Sequence, residues 1–214
     1  MQFADRVEAG RRLAEALRGR VSADAIVLAL PRGGVPVGFE VADELGLPLD
    51  VIVVRKVGAP LQPEFALGAV GEGGVTVFNE RIAAHLPQRP GEFERVARGE
   101  RAELERRTAR FREGRAALSL IGREVVIVDD GIATGSTARA ACAVARARGA
   151  RRVVLATPVA PHGVEQRMSD VADEVVCVHE PSEFFSVGGF YTHFAQTPDE
   201  EVSELLRRAA QRRT

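Results

Sequence analysis

An α/β fold, with a doubly wound, mostly parallel sheet flanked by helices, is what the 214-residue sequence predicts. Two observations carry that expectation. Short β-branched runs at 25–30, 51–54, 125–128, 153–156 and 175–178 alternate with stretches of helical periodicity, which is the pattern of βαβ units. The runs are apolar throughout rather than alternating, as strands covered on both faces must be. With 45% hydrophobic and 28% charged residues the chain can bury a core, and its length suits a single domain, 1–214.

Along the chain, Asp5 is the expected N-cap of an amphipathic helix that turns Val7, Leu13 and Leu17 inward. The run 25–30 is a buried strand, broken by Pro31-Arg32-Gly33-Gly34, and a helix follows to about residue 45. The second strand is 51–54. Residues 57–80 interrupt the rhythm: two prolines and five glycines surround strand-like pieces at 65–70 and 75–78. So long a connection predicts a flexible functional loop. A highly charged helical insert is expected at 88–118, with Glu94–Arg98 and Glu103–Arg107 at i,i+4 and an apolar stripe of Phe93, Val96 and Leu104. Its interleaved glutamates favour a solvated helix over a nucleic-acid patch. Further helices are expected near 136–148, stopped by Gly149, and near 161–171.

Composition narrows the function classes. Twenty-nine basic and thirty acidic residues leave a formal charge of −1, so no bulk pull toward nucleic acid or a membrane surface follows. No apolar run approaches membrane-spanning length, and the charged start does not read as a signal peptide. Cys142 and Cys177 lie in apolar segments without zinc spacing, as reduced thiols of a cytoplasmic protein would. The histidines (His85, His162, His179, His193) show no metal or triad spacing. GxSxG, GxxxxGK[ST] and GxGxxG are all absent, which argues against α/β-hydrolase, P-loop and dinucleotide-binding readings.

The informative segment is 125–137, Val-Val-Ile-Val-Asp-Asp-Gly-Ile-Ala-Thr-Gly-Ser-Thr. It reads as a buried strand, two carboxylates at its carboxyl end, then a turn of small and hydroxyl residues opening a helix. Ligands of open α/β sheets bind at that edge. The turn Ile132, Ala133, Thr134, Gly135, Ser136 and Thr137 offers amides and hydroxyls at a helix N-terminus, which suits a phosphate. A β-branched residue at 135 is expected to spoil that site and spare the fold. Asp129 and Asp130 repel phosphate but suit a vicinal diol, whose hydroxyls donate to carboxylates. A phosphate one short arm from a diol describes ribose 5-phosphate.

This segment resembles the phosphoribosyl pyrophosphate motif of the type I phosphoribosyltransferase family, and the chain is most similar to a bacterial subgroup of undefined acceptor. The resemblance implies a pyrophosphate loop at Arg32, Gly33 and Gly34, where the Pro31–Arg32 peptide can be cis and Arg32 sits at the pocket rim. It implies a cationic pair, Arg55 and Lys56, reaching the pyrophosphate. It implies Mg2+ held indirectly by Asp129 and Asp130 through substrate or water, a loop that closes over the site, and a homodimer. It also implies a hood, here 180–198, whose aromatics Phe184, Phe185, Phe190 and Tyr191 would stack an acceptor base; a small satellite core is the other reading of that cluster. Relatives using 6-oxopurines carry an aspartate where this chain has Ala133, which disfavours such acceptors.

The implied reaction moves the 5-phosphoribosyl group from phosphoribosyl pyrophosphate to a nitrogen of an unidentified base. A non-catalytic regulator or sensor binding phosphoribosyl pyrophosphate or a nucleotide is the alternative, although no added nucleic-acid-binding element is evident. A hydrolase of ribose phosphates would need a water-activating group that no residue supplies.

Overall fold

A computed structural model describes residues 1–59, 62–78 and 91–212. Helix α1 (Arg6–Leu17) begins where the Asp5 carboxylate accepts from the amides of Val7 and Glu8, so the expected cap is present. Leu13 and Leu17 are fully buried. Val7 is not: it is 38% exposed, because it lies about 120° round the helix from Leu13.

From α1 the chain runs through β1 (Ile26–Ala29), α2 (Gly34–Leu45), β2 (Leu49–Val51), β3 (Val54–Ala59), β4 (Gln62–Gly71), β5 (Thr76–Phe78), α3 (Glu92–Arg112), β6 (Glu124–Val128), α4 (Ser136–Ala147), β7 (Arg152–Val159), α5 (Val164–Met168), β8 (Glu174–His179) and α6 (Asp199–Gln211). The main sheet is parallel, in the order β2-β1-β6-β7-β8. Its two faces bury different residues. Val27, Ala29, Val126, Val128, Val154 and Ala156 pack in one cluster with residues of α1, α2 and α6. Ile26, Leu28, Val125, Ile127, Val153 and Leu155 pack in the other, with residues of α4 and α5. That double burial is why the strand sequences are apolar without alternation. The strand order reverses between β1 and β6, so the carboxyl ends of these two strands flank the crevice where such sheets bind ligands.

Three expectations change. The run 51–54 is not one strand: Val51 ends β2 in the main sheet, and Val54 begins β3 of a second, antiparallel sheet β3-β4-β5. The stretch expected as a flexible loop, 57–80, is built largely from this sheet, with a 3-10 turn over Glu72–Gly74; residues 60–61 and 79–80 lie outside the described residues. The helix expected at 161–171 is only α5, opened by Gly163 at φ 80°. Helix α3 lies within the predicted charged insert, of which 88–90 fall outside the described residues, as does His85. It stops at Arg112 because Glu113 and Gly114 take left-handed backbone, φ 48° and 83°.

Several charges of α3 pair within the helix. Glu103 accepts from Arg106 and Arg107, which hold its carboxyl down at about 2. Glu94 pairs with Arg101, not with the expected Arg98. Leu104 is buried, and Phe93 and Val96 pack against the core. Other charges of the helix reach outward: Arg110 meets Asp199 and Glu200 of α6, and Glu100 meets Arg55 of β3.

One buried ionic cluster ties the insert to both sheets. Arg112, 6% exposed, grips Asp50 with Nε at 2.9 Å and Nη2 at 3.1 Å, and its Nη1 stands 2.6 Å from Glu72. Asp50 also accepts from the amides of Val51 and Leu118, and Glu72 accepts from that of Val53. The last residue of α3, a residue of β2 and the turn between β4 and β5 are thereby joined. Burial alone would lower the Arg112 pKa; the two carboxylates outweigh it and raise it.

Cys142 is buried and Cys177 partly so, and both are free thiols. Burial pushes them up to about 12 and about 11. Among the described residues no helix is long and apolar enough to cross a membrane.

Candidate active site

Strand β6 delivers Asp129 and Asp130 beyond its carboxyl end. The Val128 carbonyl accepts from the Leu30 amide at 2.8 Å, which holds the ends of β1 and β6 together. The Pro31–Arg32 peptide is cis. The two segments expected to bind the sugar and the pyrophosphate thus meet at the reversal point of the sheet.

The paired glycines have a role here that their amides did not suggest. A Cβ on Gly33 would lie 2.0 Å from Asp130 Oδ2, and one on Gly34 would lie 2.7 Å from the Val128 carbonyl and 3.0 Å from Asp129 Cα. The Gly34 amide is committed to Leu30 O at 3.0 Å. The absence of side chains at 33 and 34 lets the acid pair pack directly on the start of α2. In Gly34→Ala the two nearest atoms are backbone, which cannot swing aside, so it is expected to cost about 1–3 kcal/mol of stability. Urea unfolding checks this, and an unchanged midpoint would disprove the packing argument.

Both acids are crowded. Burial and the neighbouring Asp130 push the Asp129 carboxyl well above the usual range. Burial also raises Asp130, against the pull of Arg6. Arg6, which sequence reasoning missed, places Nε and Nη2 each 2.8 Å from Asp130 Oδ2. It lies 124 residues away in sequence, and nothing in the pattern of α1 marks it.

The turn after the acids is anchored by Ile132, whose side chain is buried and whose amide donates to Val159 O at 2.9 Å. Ile132 therefore anchors the turn, while Ala133, Thr134 and Thr137 are exposed. Gly135 at φ 78° caps α4, which no side chain caps. Lys56 Nζ stands 3.2 Å from Ser136 Oγ, which is 3.3 Å from Thr134 Oγ1. One cation and two hydroxyls therefore converge on the open amide end of a 12-residue helix, an anion-favouring arrangement. The expectation that position 135 tolerates a β-branched side chain is corrected. The backbone there is left-handed, and a Cβ would fall 1.9 Å from Met168 Cε, so the fold would suffer as well.

Two expected pyrophosphate residues point elsewhere. Arg55 and Lys56 are neighbours on a strand and so face opposite ways; Arg55 Nε binds Glu100 of α3 at 2.7 Å. Arg32 Nη1 is 3.3 Å from Asp199 at the start of α6, which also holds Arg110 at 2.8 Å.

The hood region divides. Phe184 stacks on Phe190 with centroids 5.4 Å apart, and Tyr191 stacks on Phe194 at 4.9 Å. Phe3, Ala9, Val159 and Tyr191 form a small buried cluster against which Phe184 and Phe190 pack. Much of the aromatic group is thus a satellite core, while Phe185 is 92% exposed. The segment is stitched to residues 3–4: Phe3 pairs in parallel with Tyr191, and the amides of Thr192 and His193 donate to Phe3 O and Ala4 O. The Tyr191 hydroxyl donates to the Asp130 carbonyl at 2.6 Å, and burial, with Asp130 beside it, raises its pKa.

Among the described residues no group of three or more His, Cys, Asp or Glu could hold a metal on its own. Two adjacent carboxyls still fit magnesium, which keeps several waters and takes one or two carboxylates together with substrate phosphates.

Comparison with known proteins bears on this geometry. A protein of Mycobacterium tuberculosis carrying a provisional phosphoribosyl transferase name is 53% identical over 207 residues, 97% of this chain and 47% of its own length. The chain therefore spans about half the length of that curated relative. An adenine phosphoribosyltransferase of Kineococcus radiotolerans is 36% identical over 125 residues, covering 53% of this chain and 66% of its own. A crystal structure from Thermus thermophilus superposes with a TM-score of 0.89 at 46% identity, covering 97% of this chain and 99% of that one. The family model for the phosphoribosyl transferase domain matches residues 3–192. With its acid pair and hydroxyl-rich turn at the sheet's reversal point, the chain belongs to the phosphoribosyl transferase domain family.

Proposed function

We propose that this protein transfers the 5-phosphoribosyl group from phosphoribosyl pyrophosphate to a ring nitrogen of a base. A C–N bond forms at C1 of the ribose as its C–O bond to pyrophosphate breaks, and pyrophosphate leaves. The observation that carries this reading is the meeting of Asp129 and Asp130 with the uncapped amide end of α4 at the carboxyl edge of β6.

In this reading the turn Ala133–Thr137 and its hydroxyls hold the 5-phosphate, with Lys56 reaching the anionic part of the substrate from β3. Asp129 and Asp130 accept from the ribose hydroxyls and favour the positive charge that develops on the ring as pyrophosphate departs. Magnesium, held by the acid pair through water or substrate hydroxyls, would offset the charge of the leaving group. Arg32 serves pyrophosphate only by exchanging Asp199 for it. Phe185 is the hood residue best placed by exposure to stack a planar acceptor, and Ala133 argues against 6-oxopurines.

The test is incubation with phosphoribosyl pyrophosphate, magnesium and a panel of bases, following pyrophosphate. Base-dependent release is expected. Saturable binding of phosphoribosyl pyrophosphate with no release for any base would overturn the transfer reading.

A further inference from the structure

We propose that Arg6 is a positioning residue of the ribosyl site: it compensates Asp130, so that a phosphate-bearing sugar meets one uncompensated carboxyl in place of two. The inference rests on the transfer reading and adds to it a residue from the far end of the sequence.

The geometry is that of a held group. Two nitrogens of Arg6 converge on one oxygen of Asp130, and the third, Nη1, donates to the Ala195 carbonyl at 2.8 Å. The Arg6 guanidinium carbon lies 4.0 Å from the Phe194 ring centroid, so a cation–π contact backs the grip. The side chains of Arg6 and Asp130 are only 12% and 14% exposed, which limits screening by solvent. Asp130 is also tethered through its main chain, by the Tyr191 hydroxyl. The other charged groups of this end of α1 are engaged elsewhere: Asp5 caps the helix, and Glu8 accepts from Arg12 and the Ala4 amide. Arg6 is therefore the cation that the fold brings to the acid pair.

The chemistry asks for such a cation. Phosphoribosyl pyrophosphate carries several negative charges, and two bare carboxylates would repel it before the ribosyl cation exists to repay them. Compensating one carboxylate lowers that repulsion and leaves Asp129 to respond to the charge that develops later. A planar guanidinium can grip one carboxylate with two N–H groups at once; an ammonium cannot hold that orientation.

The experiment is calorimetric titration of phosphoribosyl pyrophosphate, with magnesium, into the wild type, Arg6→Gln, Arg6→Lys, Asp130→Asn and the double variant Arg6→Gln/Asp130→Asn. Arg6→Gln is expected to weaken binding roughly tenfold, as a newly uncompensated nearby charge would. Arg6→Lys should recover part of the loss. The double variant should bind more tightly than Arg6→Gln alone, because removing the second charge removes the repulsion. A purely structural role for Arg6 would not give that recovery. Arg6→Gln binding like the wild type, or losses that add in the double variant, would overturn the inference while the transfer reading stands. A wild type that binds no phosphoribosyl pyrophosphate would overturn the transfer reading and the inference with it.

Discussion

Replacing Arg112 with methionine is expected to lower the unfolding free energy by about 3–5 kcal/mol, the range seen when one partner of a buried ion pair is removed. Asp50 and Glu72, each 6% exposed, would lose the cation that answers both of them. Arg148, 3.6 Å from Glu72, would compensate one carboxylate weakly and the other not at all. Arg112→Lys should fall between, since an ammonium cannot match the two-pronged contact with Asp50. Removing all three charges together would not restore the wild type, because the amides of Val51, Leu118 and Val53 would then lose their acceptors. Urea unfolding followed by circular dichroism reads the difference; a loss below about 1 kcal/mol for Arg112→Met would mean that the cluster opens to water.

Asp129→Asn is expected to reduce turnover by roughly a hundredfold to a thousandfold while changing ribose 5-phosphate affinity far less, as removal of one preorganised electrostatic group does elsewhere. In the empty site burial and Asp130 hold the Asp129 carboxyl above its ordinary range. A positive charge growing on the ribose interacts with this carboxylate more strongly than the neutral ground-state ring does, so its stabilisation is realised in the transition state. An amide of the same shape keeps the packing and loses the charge. Pyrophosphate-release kinetics alongside calorimetry separate the two effects. Equal losses in turnover and affinity would reduce Asp129 to a binding group.

What could be read from the sequence was local. The run 125–137 announces strand, acids and helix start within one unbroken segment, and Gly33-Gly34 marks a close approach, although what approaches is Asp130 and the end of β6 rather than only a ligand. The main sheet was most legible at β1, β6 and β7, whose central residues are apolar on both faces. The second sheet was not: glycines and prolines weaken strand signals, and pairing such as Val57 with Gly68 depends on a partner, not on propensity. Lys56 and Arg55 looked equivalent until the strand's two-residue period sent them to opposite sides. Nothing local in the sequence marks Asp50 and Glu72 as buried, because their burial depends on an arginine 62 positions beyond Asp50. Arg6 is the extreme case, a site neighbour hidden in an ordinary helix start.

The stitching of Phe3 to Tyr191 and the grip of Arg6 on Asp130 also set an order of assembly. These contacts close some of the longest loops in the chain, and loop closure of that span comes late in folding. As the polypeptide emerges from the ribosome, Phe3 and Ala4 stay without their partners until 190–193 have been made, and Arg6, with Asp130 already present, still lacks Phe194 and Ala195. The turn after the acid pair is thus made before the segment that holds Arg6 in place against Asp130. Maturation of the site, in time as well as in space, ends at the aromatic segment.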